Sequence, residues 1–282
     1  MTLFTNTAAL IAYENYSYNN RLLSRSLLRL SSGLRINSAS DDPSGLAIAD
    51  KLRTQASSIS QSIENANSAI ALTQIADKAI SEQSNIIDTV KTKLIQASSD
   101  TTSDDGREAI RKDIVKLLQQ LDNIASQTNY NGNTLLQNNQ NDTSNSSIKD
   151  FFIGEKSSDI IKLSSVQSNT VGLGLDTLKA LTKDTLTPIL ASDSFSVLDI
   201  ALNKLNNFRS EFGSTQNQLE SSVRYMLTMK TNLKASESVI RDVDYAKESA
   251  NLSKYKLLAQ AGMFAMVQAN KIQELILRYL FR

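Results

Sequence analysis

Apolar residues recur every seven positions from Leu198 through Leu205, Phe212, Leu219, Met226 and Leu233 to Ile240, without a gap. A repeat of seven keeps one greasy seam on one side of a helix and predicts helices packed along their length. At about 1.5 Å per residue this helix runs roughly 60 Å, longer than a compact domain of this size needs. A second long stretch answers it. From Leu46 a stripe runs through Leu52, Ala56, Ile59, Ile63, Ala66 and Ile70, slips in phase near Ala71, and resumes at Leu72, Ala76, Ala79, Ile86, Val90 and Ala97. Asp42 suits its N-cap and Pro43 its first turn, where proline loses no needed donor. The pattern predicts a helix of about 55 residues, near 80 Å.

Shorter elements fill the rest. Residues 1–34 read as a helix with apolar positions at Tyr16, Leu23, Leu27, Leu30 and Leu34, followed by the connector SGLRINSASDD. SSDTTSDDG ends the second helix, and a third carries Ile110, Ile114, Leu117, Leu121 and Ile124 at steps of four and three. NYNG at 129–132 signals a turn, the Asn/Gln/Ser tract 137–147 a loop, and FFIGEKSSDIIKLSSV at 151–166 a β-hairpin. The order is palindromic: terminal helix, long helix, short middle, long helix, terminal helix. Two long seams joined by a middle with a hairpin fold back antiparallel and bury each other, and the helix at 107–127 completes the bundle. The expected fold is mainly α, a long antiparallel coiled-coil helical bundle with a small β-hairpin region in the middle.

The last stretch, 241–282, behaves differently. One stripe is Leu258, Gly262, Ala265, Ala269, Ile272, Ile276 and Leu280, yet Leu257, Met263, Phe264, Met266, Val267, Leu275 and Leu277 lie off it. A helix apolar on more than one side must be buried on more than one side. The helix at 1–34 covers one face, and neighbouring copies of the chain are the natural cover for the other. At ~25 cal/mol per Å², a few hundred Å² of added apolar burial per contact is worth several kcal/mol. Repeated head to tail, such contacts drive an open polymer rather than a closed dimer.

Composition narrows the function. Nine Gly, two Pro and no Trp among 282 residues suit long uninterrupted helices. Without Cys there are no disulfides or thiolate sites, and without His the usual neutral-pH proton shuttle is missing. A net charge of +1 gives no case for nucleic acid or an anionic membrane. No secretory signal is expected at the start, since MTLFTNTAALIAYENY lacks a basic n-region, and Leu257 to Asn270 is too short and polar to span a bilayer. Arg21, Arg25 and Arg29 make a basic stripe, read as a solvated or intersubunit ion-pairing face. Ser40, Asp41 and Asp42 read as a helix cap rather than a calcium loop, and Asp242 and Asp244 as partners of basic neighbours. No nucleophile has a positioned base, so an enzyme, a cofactor and a metal are not expected. The heptads alone also allow a cytoplasmic signalling coiled coil.

LSRSLLRLSSGLRINSASDDPSGLAIADKLRTQ at 23–55 closely resembles the N-terminal signature of bacterial flagellins. SVIRDVDYAKESANLSKYKLLAQAGMFAMVQAN at 238–270 resembles the other end of that family, and QTNYNGNTLL at 127–136 its turn after the third helix. The wording DTVKTK is similar to flagellins of Campylobacter-like bacteria. The start here is richer in Tyr than usual, the end KIQELILRYLFR is more apolar and basic, and the middle is too short for large outer domains.

The resemblance implies a secreted, extracellular structural subunit of the flagellar filament, exported unfolded through the type III channel. It implies filament-core helices over 1–42 and 241–282, the two halves of a rod bundle over 43–136 and 195–240, and a short middle region with a β-hairpin over 137–194. Leu23, Leu27, Leu30, Leu257, Leu258, Phe264, Val267, Ile272 and Ile276 are the expected self-assembly core. Leu198 to Ile240 at heptad spacing are the expected rod seam. Expected partners are a homopolymer, the filament cap, the hook–filament junction proteins and a cytoplasmic export chaperone. A hook–filament junction protein is the alternative. Where receptor-detected flagellins carry Gln-Arg-x-x-Glu-Leu, this chain has Asp88, Thr89, Thr92 and Lys93. The missing Arg removes a multidentate donor, which implies weak activation of the vertebrate Toll-like flagellin receptor.

Overall fold

The computed structural model describes residues 5–139, 141–154, 156, 158–182 and 186–280. Seven helices and four short strands stand out among these: α1 (Thr7–Ser32), α2 (Pro43–Ser98), α3 (Asp104–Gln127), β1 (Asn129–Tyr130), β2 (Asn133–Thr134), β3 (Lys149–Phe152), β4 (Ile160–Leu163), α4 (Thr170–Leu173), α5 (Asp176–Lys179), α6 (Pro188–Arg241) and α7 (Tyr245–Leu280). The chain divides into a terminal unit, residues 1–56 with 231–282, and a central unit, residues 57–230. The sequence-based boundaries fall instead at 42/43 and 240/241, where helices begin and end.

The central unit is an antiparallel bundle. Lys91 of α2 pairs with Asp199 of α6, and further along Asp77 accepts from Arg209 at 3.0 Å, so the two helices run in opposite directions. On α6, Leu198, Leu205, Phe212, Leu219 and Met226 are buried at heptad spacing. On the central-unit part of α2 the buried positions are Ile59, Ser62, Ala66, Ala69, Leu72, Thr73, Ala76, Ile80, Gln83, Ile87, Val90, Leu94 and Ala97, in steps of three and four with Leu72 and Thr73 side by side. The phase slip expected near Ala71 is absent. Polar residues at Ser62, Thr73 and Gln83 occupy seam positions, so a stripe traced through apolar residues alone drifts onto the half-buried Ile63, Ile70, Ala79 and Ile86. On α3 the buried stripe likewise passes through Leu118 and Ala125, with Leu117 and Ile124 half-buried beside it.

Buried polar groups hold the middle segment to this bundle. Gln83, fully buried, donates its amide hydrogens to the carbonyls of Leu121 and Ser168, both at 3.2 Å. Asn169 donates to Thr143 O at 2.7 Å and to Gln137 Oε1 at 3.2 Å, and accepts from Gly172 N to cap α4. Asp122 of α3 accepts from the backbone and hydroxyl of Thr170 and from Lys179. The turn between β1 and β2 has both central residues left-handed, Asn131 at φ 51° and Gly132 at φ 80°, the twist-matched geometry for which Asn-Gly is suited. The hairpin at β3 and β4 pairs Lys149 with Leu163 and Phe152 with Ile160. It begins two residues before the expected span and ends three residues before its close.

Among the described residues no helix is long and apolar enough to cross a membrane.

Candidate self-assembly surface

The terminal unit is built on α1 and α7. Asn6 caps α1 by accepting from Ala9 N at 3.0 Å, and its side-chain nitrogen reaches Ala269 O and Asn270 Oδ1 at 3.2 Å. Ser26 donates to Glu248 at 2.5 Å, so the helices run antiparallel. At Gly262 they come close: a Cβ there would lie 3.3 Å from the Cα and Cβ of Tyr16. Gly33 ends α1 in the left-handed region at φ 73°, as a helix C-terminus favours. Val243 N then donates to Gly33 O, Arg35 N donates to Arg241 O, and the Arg35 guanidinium donates to Ile240 O, which closes the end of α6.

A charged cluster fixes this junction. Glu248 is only 7% exposed and faces Arg29 at 3.9 Å. Asp41 lies 3.5 Å from Arg25 and 4.0 Å from Arg29, and accepts from the backbone of Asn37 and Ser38. Burial pushes the Asp41 carboxyl up, but those two N–H groups and the two guanidinium groups outweigh it and hold it below its ordinary value. Arg25 and Arg29 therefore pair with Asp41 and Glu248 within the chain, because the connector folds Asp41 back onto them. Asp42 caps α2 by accepting from Gly45 N at 2.9 Å. Asp242 accepts from the Ser238 hydroxyl and Asp244 from Lys247 N, so neither rests on the ion pair expected for it.

Packing two helices leaves most of their apolar surface open. Leu23 and Leu30 are half-buried. Leu27, Leu257, Leu258, Phe264, Val267, Ile272 and Ile276 stay exposed, Phe264 to 74% and Leu257 to 66%. Leu10, Ile11, Tyr13, Tyr18, Leu28, Met263, Leu275, Leu277 and Tyr279 join them. Of this last group, Met263, Leu275 and Leu277 are legible in the sequence as apolar residues off the α7 stripe, whereas Leu10, Ile11, Tyr13, Tyr18, Leu28 and Tyr279 were not singled out. On α1 the signal was available, since its apolar residues also exceed one stripe. The side chain of Leu280 and residues 1–4, 281 and 282 lie outside the described residues. Of the seam residues in this unit, Leu233 and Ile240 are half-buried.

On α2, Asp88, Thr89 and Thr92 are exposed. Both hydroxyls turn back onto the helix, Thr89 to Asn85 O and Thr92 to Thr89 O, while Lys93 is half-buried and pairs with Asp113 of α3 at 3.0 Å.

The family model "Bacterial flagellin N-terminal helical region" matches residues 3–141, and "Bacterial flagellin C-terminal helical region" matches residues 195–280. Flagellin B of Helicobacter pylori is 35% identical over 271 residues, covering 96% of this chain and 50% of that protein. Flagellin A of Helicobacter felis is 39% identical over 252 residues, covering 88% of this chain and 48% of that protein. The chain thus spans about half the length of the curated relatives it matches. The crystal structure of Bacillus cereus flagellin superposes with a TM-score of 0.50 at 26% identity, over 62% of this chain and 94% of that one. A putative flagellar hook-associated protein from Vibrio parahaemolyticus shares the fold at a TM-score of 0.60 and 11% identity, over 71% of this chain and 99% of that one. With both family regions matched over most of its length, the chain belongs to the bacterial flagellin family.

Proposed function

We propose that the chain is a structural subunit that polymerises with copies of itself into an extracellular flagellar filament serving motility. Its role is mechanical rather than catalytic. The observation that carries this is the terminal helix pair, whose apolar side chains exceed what two helices hide from each other. Exposed apolar patches of this extent mark interaction sites on soluble proteins. Leu23, Leu27, Leu30, Leu257, Leu258, Phe264, Val267, Ile272 and Ile276 form the self-assembly core, and the α2–α6 seam supplies stiffness. The filament cap, the hook–filament junction proteins and a cytoplasmic export chaperone are its further partners, carried over from the family. The flagellin matches support this reading over a junction protein, and copy number separates the two: thousands per filament against a single ring.

Phe264→Asp or Ile272→Asp places a charge where the proposal buries apolar surface, at a cost of roughly several kcal/mol per subunit. Either variant should fail to form filaments in electron microscopy while its central unit melts as in the parent protein. Normal filaments from both would refute the proposal. The exposed Asp88, Thr89 and Thr92 and the tethered Lys93 support weak activation of the vertebrate flagellin receptor. A strong reporter-cell response to purified monomer would rule that out.

A further inference from the structure

The middle of the chain is crowded with asparagine, and several of these side chains are tied down. Asn129 Nδ2 donates to Gln127 O at 2.8 Å, and Asn138 Nδ2 donates to Asp142 Oδ2 at 2.6 Å. Asn139 Oδ1 accepts from Asn141 N and Asp142 N, both at 2.9 Å. Asn131 differs. It is exposed, and its side chain makes no hydrogen bond among the described residues. It stands at the tip of the β1–β2 turn, and it is the one Asn of the sequence that is followed by Gly.

That neighbour matters chemically. The amide carbon of an Asn side chain can close a five-membered ring with the backbone nitrogen of the next residue, and a side chain on that residue shields the nitrogen. Gly132 has none, and a Cβ built there would meet nothing within 4 Å. Its N–H donates no backbone hydrogen bond among the described residues. The other exposed asparagines of the region are less open to this reaction. Asn133 precedes the β-branched Thr134, Asn141 precedes Asp142, whose nitrogen donates to Asn139 Oδ1, and Asn145 precedes Ser146, whose nitrogen donates to Val166 O at 2.8 Å. Ring closure also requires the Asn131 Cα–C bond to swing out of its hairpin setting. Strands β1 and β2 are two residues each, and so short a two-stranded hairpin opens readily.

We propose that Asn131 is a spontaneous deamidation site whose isoaspartyl product loosens the docking of the middle segment on the central bundle. Gly132 N gives its proton to solvent and bonds to Asn131 Cγ. The Cγ–Nδ2 bond breaks, and Nδ2 takes up a proton and leaves as ammonia. Water then opens the succinimide at either carbonyl, giving an aspartate or an isoaspartate whose main chain runs through Cβ and Cγ. Water is consumed and ammonia released, with no change of oxidation state. The isoaspartate adds a methylene to a turn whose length fixes the pairing of Tyr130 with Asn133. Leu135 and Leu136 follow directly, 5% and 0% exposed. Leu136 O accepts from Ser168 N at 3.0 Å, and Ser168 O accepts from Gln83. A slip in the turn is therefore passed to the buried polar hub.

The test incubates the full chain in mildly alkaline buffer and maps it by tandem mass spectrometry. Mildly acidic buffer is the control, because the attacking nitrogen must lose its proton. A gain of one mass unit should build up at Asn131 roughly tenfold faster than at Asn133, Asn141 or Asn145, the factor that a barrier difference of about 1.4 kcal/mol gives. Isoaspartyl chains should then show faster hydrogen exchange at residues 135–136 and 166–170. Asn131→Asp carries the new charge on an ordinary backbone and tolerates the left-handed turn, so it should exchange like the parent. Deamidation at Asn131 no faster than at the other three sites overturns the site. Unchanged exchange at residues 166–170 in isoaspartyl chains, or an equal change in Asn131→Asp, overturns its coupling to the hub.

Discussion

The central and terminal units are made from the same kind of helix and meet opposite fates. In the central unit the α2 and α6 seams face each other, α3 and the middle segment close the remaining sides, and Ile80, Ile87, Leu198, Leu205 and Phe212 are at most 1% exposed. In the terminal unit α1 and α7 pair chiefly with each other, and the start of α2 and the end of α6 meet them only at one end. Antiparallel pairing covers one face apiece and leaves Leu257, Phe264 and Val267 open. The difference teaches that heptads alone do not decide whether a helix is satisfied; the number of neighbours does. Three helices and a docked segment complete a core, and two helices leave one unfinished.

The sharpest way to break the comparison is to truncate one aromatic in each unit. Phe212→Ala should cost about 3–5 kcal/mol in chemical denaturation of the monomer, because it empties a filled site. Phe264→Ala should change monomer stability by less than about 0.5 kcal/mol, since the ring touches mainly solvent there. Similar losses in both would show that the units do not differ.

A smaller effect belongs to the polar hub. Gln83→Ala should cost about 1–3 kcal/mol by leaving Ser168 O without its partner, and hydrogen exchange should speed up around residues 166–170 before it does in α6. Uniform loss of protection across the central unit would instead mean that Gln83 acts as ordinary core filling.

The smallest expected effects are acid-linked. Glu108 is held at about 2, chiefly by hydrogen bonds from Arg111 whose effect exceeds that of burial. A carboxyl depressed in the folded state contributes stability above its unfolded value and loses it as pH falls through the folded one. The Glu108 contribution to the central unit should therefore be complete above about pH 4.5 and fade toward pH 2. Asp41 is shifted the same way, so it contributes to the terminal unit above its ordinary value and is lost on further acidification. Asp41→Asn should flatten the pH dependence of helicity in the terminal unit and leave the central unit's melting curve against pH unchanged. Glu108→Gln should do the reverse.

Much of this was legible in the residues, and the gaps have physical causes. The Leu198 ladder placed α6 because a strict repeat of seven survives any choice of neighbour. Asp42-Pro43 and Asn131-Gly132 placed a helix start and a turn because their backbone preferences are local. The α2 register was missed because Ser62, Thr73 and Gln83 look like surface residues until partners are found for them. Arg25 and Arg29 read from the sequence as a solvated or intersubunit ion-pairing stripe, because Asp41 lies twelve or more residues away along the chain.

By itself, the sequence determined the long helices, the Asp42 cap, the α6 seam and the excess of apolar residues at both ends, since periodicity and local propensity are written in neighbouring residues. Only the tertiary structure decided which polar side chains could be buried, which cations found a carboxylate and which were left bare. Those outcomes depend on groups brought together from far apart in the chain, and on how many helices arrive to cover each face.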